Sequence, residues 1–411
     1  MKNILIVNYF GTGNKGDTAI LIGMLETFQE IQYNISIVTH EPDVTSKYTN
    51  KYNVNLIESV IKRNNENIIW PINILNWIFL SSAWLLFKKF GIDISILLDN
   101  NKRLLLKEYE KADMVISCGG GYIHDNHGPI ILLALHYIFI GIAANKPVVL
   151  YSQSVGPINN FIYRYITKLV LNKTKIIQVR EEISKICLDK FGIYQPKIYL
   201  TADPAFVYPF VTEERIEEIM NIENIRKDCL TIGITIRYWN FPTMSNPEIK
   251  YEEYLTKIAD IIKSFKDAQI VFIPMVETKI AKFDERMIAK RIINKIDKKD
   301  NIRIIRNDYF PSELRALTGK MDILLGTRFH SVIFAISSGV PVISLMYEHK
   351  SLGIMKMLSL EEYVYNINNF NVKDIVEKMN KILKDHDKIA HEILEKGNKM
   401  SCLVKANKLV V

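Results

Sequence analysis

The chain has 411 residues, 48% of them hydrophobic and 24% charged, a balance that excludes disordered, collagen-like and coiled-coil classes. At about 150 residues per domain, two domains are expected. The 53 Lys and Arg against 45 Asp and Glu give a formal charge of +8, interleaved and not blocked, so small anionic ligands or anionic lipid are the expected partners and nucleic acid is not.

Short apolar runs alternate with amphipathic stretches from end to end, which predicts parallel strands joined by crossover helices, an α/β class. Strands are expected at 3–8, 35–39, 114–118, 147–152, 175–179 and 198–201, and in a second series at 230–236, 269–274, 302–305, 322–326, 342–346 and 363–366. The second series begins after a Pro-containing, charged segment at 203–225. The expected organisation is therefore an N-terminal Rossmann-like domain over 1–205, with an apolar insertion at 67–98, a C-terminal Rossmann-like domain over 206–371, and a helical tail over 372–411. The tail carries Ile375, Met379, Ile382 and Leu383 on one stripe and is expected to pack back on the first domain.

Residues 67–87 hold no charge and include Trp70, Trp77 and Trp84. Polar Asn73, Asn76, Ser81 and Ser82 argue against a span, and the tryptophans favour contact with a membrane surface. An acceptor-pocket wall or oligomer contact is the other reading. Four cysteines without a CxxC pair predict neither a disulfide framework nor a metal. The first residues lack the pattern of a signal peptide, so the expectation is a cytoplasmic chain, at the inner face of the membrane.

The first strand feeds Gly11-Thr12-Gly13-Asn14-Lys15-Gly16-Asp17, a literal GxGxxG with Glu41 beyond the second strand. Asp17, however, puts a carboxylate at the helix N-terminus where a pyrophosphate would sit. That position suits a proton acceptor facing a hydroxyl substrate, or an N-cap. Gly119, Gly120 and Gly121 follow another strand, either as a close approach to ligand or as a tight turn. Ser152 and Gln153 end a further strand, with groups suited to sugar hydroxyls.

Cations recur just past strand ends: Arg180, Arg237, Arg328 with His330, and Lys350. This is the edge at which open α/β sheets bind ligands. Arg forks grip carboxylate and phosphate alike, Lys adds a point charge, and a His among anionic oxygens is suited to proton transfer. A solvated Arg and a core or capping His are the plain alternatives. Tyr238 and Trp239 beside Arg237 wall a ligand face or simply pack.

Over nearly its whole length the sequence resembles the polysaccharide pyruvyl transferases. The resemblance rests on Gly13-Asn14-Lys15-Gly16-Asp17-Thr18-Ala19-Ile20, Gly119 to Gly121, Ser152-Gln153-Ser154-Val155-Gly156-Pro157, Val179-Arg180-Glu181, Thr201-Ala202-Asp203-Pro204-Ala205, Arg237, and Gly326-Thr327-Arg328-Phe329-His330 with Lys350. The family usually has Leu where this chain has Phe329. The resemblance implies a GT-B-like fold, two Rossmann-like domains facing across a cleft. It implies transfer of pyruvate from phosphoenolpyruvate to a sugar hydroxyl pair of a cell-wall or exopolysaccharide glycan, or its lipid-linked precursor, as a ketal, with release of phosphate. It implies no metal and no cofactor beyond phosphoenolpyruvate as co-substrate. By the same resemblance Arg180, Arg237, Arg328 and Lys350 hold the donor, while His330 and Asp17 handle protons. The competing readings are a nucleotide-sugar glycosyltransferase on the same scaffold, an NAD-dependent oxidoreductase, and a noncatalytic membrane-associated assembly factor.

Overall fold

The computed structural model describes all residues except 12, 30–32, 61–69, 243, 279, 348 and 407–411, and the side chains of 70, 71 and 349–351. Two compact units form, one from Met1–Thr12, Ile20–Pro204 and Val404–Val411, the other from Gly13–Ala19 and Ala205–Leu403.

The first unit is built on β1 (Lys2–Val7), β2 (Tyr33–Thr39), β3 (Val54–Glu58), β4 (Met114–Ser117), β5 (Gly120–Ile123), β6 (Val148–Val155), β7 (Ile176–Val179) and β8 (Lys197–Leu200). They run in the order β3-β2-β1-β4-β6-β7-β8 with β5 on β6, every pair parallel. The second unit carries β9 (Thr231–Thr235), β10 (Gln269–Phe272), β11 (Ile302–Ile304), β12 (Ile323–Gly326), β13 (Val342–Met346) and β14 (Val364–Asn366), parallel in the order β11-β10-β9-β12-β13-β14. Each sheet grows outward from its first strand in both directions. The order therefore reverses between β1 and β4 and between β9 and β12, the doubly wound arrangement that opens a crevice at the strands' carboxyl ends.

Strands covered on both faces read as continuous apolar runs, and β4, β9, β10 and β12 are buried along their whole length. Side chains alternate across a strand. Thus Leu5 and Val7 of β1 join a core with Trp77, Leu106, Ile131 and Leu171, while Ile4 and Ile6 join another with Ile20, Met24 and Phe28. The second unit's core gathers Ile232, Ile234, Tyr254 and Ile258 with Ile375, Met379 and Ile382 of the tail stripe.

The structure departs from the sequence reading in several places. β3 and β5 are strands that the hydrophobic runs do not announce, β3 because it is short and half-exposed, β5 because its glycines read as a turn. The charged segment after residue 203 contains the helix Glu213–Ile222, which buries Ile216, Ile219 and Met220. The uncharged stretch becomes the helix Trp70–Lys88, with 67–69 outside the described residues. Two of its tryptophans, Trp77 and Trp84, face the core and not a membrane; the side chain of Trp70 lies outside the described residues. Trp77 is 0% and Trp84 3% exposed, because an indole buries more apolar area than any other side chain on the helix. Among the described residues no helix is long and apolar enough to cross a membrane.

Candidate active site

The residues expected to carry chemistry fall into both units. In the second unit they gather at the β9/β12 switch point. Arg237 follows β9, Arg328 and His330 follow β12, and Tyr347 follows β13, so all leave the sheet at the same carboxyl end. Thr235 Oγ1 bonds Ser331 Oγ at 2.6 Å and accepts from the Thr327 amide at 3.2 Å. These bonds tie the end of β9 to the start of the helix Phe329–Ser337, which carries His330 in its first turn.

The glycine-rich segment Gly13–Ala19 joins this unit through backbone bonds. The Lys15 amide donates to the Met275 carbonyl at 2.9 Å, and the Glu277 amide donates to the Gly13 carbonyl at 3.2 Å. Gly13 has φ +68°, and a Cβ there would meet the Glu277 carbonyl at 2.6 Å, so glycine is required on two counts. Lys15 is buried, ion-paired with Asp308 and donating to the Tyr309 carbonyl at 2.9 Å. Its charge is spent on anchoring.

Asn14, not Asp17, caps the helix Lys15–Phe28: its Oδ1 accepts from the Gly16 amide at 3.0 Å. Asn14 Nδ2 in turn donates to Asp17 Oδ2 at 2.7 Å, orienting a half-buried carboxylate in the first helical turn. Gly16 lies against His330, since a Cβ on it would stand 2.0 Å from Nδ1. Two helix starts thus meet, one bearing Asp17, the other His330.

Electrostatics differ sharply among the cations. Arg328 Nε donates to Glu285, a buried carboxylate that also accepts from the Met275 amide at 2.6 Å. Burial raises the Glu285 pKa despite the guanidinium beside it, and the Arg328 pKa is also raised, Glu285 opposing the effect of burial. Arg237 is half-buried, with its guanidinium carbon 3.7 Å from the Tyr347 ring centre and 5.3 Å from that of Trp239. Its Nε donates to the Tyr238 carbonyl at 3.1 Å. Stacking on an aromatic face holds a guanidinium by its flat side. Trp239 therefore packs on Arg237. The backbone of Lys350 lies in the helix His349–Met357, and its side chain is outside the described residues.

In the first unit, Arg180 is a core residue, 1% exposed, donating to Asp203 at 2.6 Å and to Ser154 Oγ at 2.7 Å, with Glu181 at 3.6 Å. Gln153 is buried and donates to the Gly120 and Ser154 carbonyls at 2.7 and 2.9 Å. Ser152 is buried at φ +48°. Their side chains sit inside the fold and do not project from a loop. Gly119 packs on β6, where a Cβ would meet the Tyr151 carbonyl at 2.7 Å. Gly120 and Gly121 lie within β5, and a Cβ on Gly120 would meet the Tyr122 ring at 2.9 Å, so it is Gly119 that lets the backbone approach β6.

Asn14, Glu285 and Tyr347 escape sequence reasoning. Asn14 had a signal, its place just before a helix, whereas Glu285 and Tyr347 are recognisable only by what they touch.

The chain is similar to several known proteins. The amylovoran biosynthesis protein AmsJ of Erwinia amylovora is 25% identical over 397 residues, 95% of this chain and 94% of that one. Among solved structures, a glycosyltransferase from Rickettsia africae ESF-5 superposes with a TM-score of 0.57 at 15% identity, covering 100% of this chain and 99% of its own. Anabaena Alr3699/HepE, in complex with UDP and glucose, gives 0.60 at 9% identity, covering 98% and 96%. These likenesses, with the two doubly wound sheets, make the fold class GT-B-like. The sequence pattern of the polysaccharide pyruvyl transferases matches residues 14–349, from the capping Asn14 through His330 to the helix that carries Lys350, and it is to that family that the chain belongs.

Proposed function

We propose that this protein transfers pyruvate from phosphoenolpyruvate to two hydroxyls of a sugar in an exopolysaccharide or cell-wall glycan, or its lipid-linked precursor, forming a ketal and releasing phosphate. A role in exopolysaccharide assembly is supported by family membership and by the likeness to an amylovoran biosynthesis protein. The observation that carries the chemistry is the contact of Gly16 with His330, which brings the turn bearing Asp17 to a sheet edge with Arg237 and Arg328.

In the proposed reaction Arg237, Arg328 and Lys350 hold the carboxylate and phosphate of the donor. His330, as imidazolium, gives a proton to the enol methylene, and C2 becomes an oxocarbenium-like electrophile. The first sugar hydroxyl attacks C2 and its proton passes to the Asp17 carboxylate. The C2–O bond to phosphorus's oxygen then breaks, the electron pair leaving with phosphate, whose charge the guanidinium groups stabilise. The second hydroxyl closes the ring on C2, and its proton goes to the departing phosphate. Arg180, tied to Asp203 and Ser154, supports the end of β6, which carries Ser152 and Gln153, from within.

Phosphate release from phosphoenolpyruvate, with and without glycan acceptors, tests this reading. Acceptor-dependent release that His330→Ala and Arg237→Ala abolish is expected. Wild-type activity in both variants, or turnover of a nucleotide sugar in place of phosphoenolpyruvate, would overturn it.

A further inference from the structure

Isolated apolar side chains on a surface are ordinary, but a contiguous patch marks a binding face. Among the described residues 26 large apolar side chains are exposed, and 14 of them fall within 72–104 and 161–169, about a tenth of the chain. The helix Trp70–Lys88 turns Ile74, Trp77 and Trp84 to the core. On its other side Ile72, Leu75, Phe79 and Leu86 follow at spacings of three, four and seven, a single stripe open to water, with Phe79 71% exposed. The helix Phe161–Leu171 repeats the design: Val170 and Leu171 are buried, whereas Phe161, Ile162, Tyr165 and Leu169 are exposed, Phe161 at 70%.

Both helices pack against the helix Ile130–Ala143 and share one hydrophobic core, so the two stripes flank the same face of the first unit's sheet. Phe90, Ile96 and Leu97 extend the patch past the end of the first helix. Charge accompanies it. Residues 70–111 and 160–175 together hold ten Lys and Arg against four Asp and Glu, a surplus of six in a chain whose whole excess is eight.

We infer that this face docks on the surface of an anionic bilayer, its two apolar stripes entering the headgroup boundary and its cations meeting lipid phosphates. A second copy of the chain suits it less well. A two-fold interface would set the same patch on itself and bring like charge against like. The determinants are Phe79 and Leu75 with Phe161 and Tyr165, not the buried Trp77 and Trp84.

Cosedimentation with phosphatidylcholine vesicles, with and without phosphatidylglycerol, tests the inference. The wild type is expected to pellet with the phosphatidylglycerol vesicles and to be released by salt. Phe79→Glu and Phe161→Glu, on separate helices, should each weaken binding roughly tenfold with unchanged melting temperature. Wild-type protein that stays in the supernatant with both vesicle types overturns the idea. So does a vesicle-free dimer in sedimentation velocity that Phe79→Glu converts to monomer. Binding is read without substrate, so its outcome is separate from that of the phosphate assay.

Discussion

Gly16 and His330, 314 positions apart in sequence, touch so closely that a methyl group on the glycine would stand 2.0 Å from the imidazole Nδ1. The contact explains why the motif needs glycine at a position whose backbone makes no special demand. Gly16→Ala must push His330 aside, and a displacement of about 1 Å in a reacting group can cost about a hundredfold in rate. We expect acceptor-dependent phosphate release to fall by roughly that factor. The double variant with His330→Ala should unfold at higher urea than Gly16→Ala alone, because the clash is gone.

Arg237 depends on aromatic faces for its position. Tyr347→Phe keeps a ring beneath the guanidinium and should leave the KM for phosphoenolpyruvate near the wild-type value. Tyr347→Leu removes the stacking, worth about 0.5–2 kcal/mol, and should raise KM by about two- to thirtyfold. Steady-state kinetics on the pair separates stacking from mere bulk.

Arg180 and Arg328 hold buried carboxylates. Arg180→Ala strands Asp203 and Glu181 in the core, and Glu285→Gln leaves Arg328 without its counter-charge. Each should cost about 3–5 kcal/mol of stability by urea unfolding. Arg237→Ala should act on donor binding.

His136 in the helix Ile130–Ala143 is buried, with Nε2 2.7 Å from Ser81 Oγ, and burial lowers its pKa from 6.5 to about 4. The unfolded chain therefore binds the proton more readily. This contribution to stability is whole above pH 6.5, falls as pH drops below that value, and levels off near pH 4. Between pH 8 and pH 5 the wild type should lose about 2 kcal/mol from this site. His136→Leu should lose correspondingly less, and urea titrations at the two pH values give the difference. Ser81 still donates to the Trp77 carbonyl in that variant.

The fold was largely legible in the order of the residues. Parallel strands buried on both faces must be apolar throughout, so β4, β9, β10 and β12 stand out, and the tail stripe of Ile375, Met379 and Ile382 follows from helical periodicity. β3 and β5 stayed hidden, since an edge strand need be only half apolar and a glycine-rich strand carries no hydrophobic signal.

By itself, then, the order of residues determined the class, the two sheets and which side chains leave their carboxyl ends, because hydrophobic periodicity and turn chemistry act over a few residues at a time. Only the tertiary structure decided how each charge is used. Arg180 and Arg328 face buried acids, Arg237 stacks on Tyr347, Asn14 caps while orienting Asp17, and Trp77 points inward while Phe79 meets water. Those outcomes depend on neighbours brought together from distant parts of the chain, and the energy of a charge or an indole is set by those neighbours and not by the residue's own type.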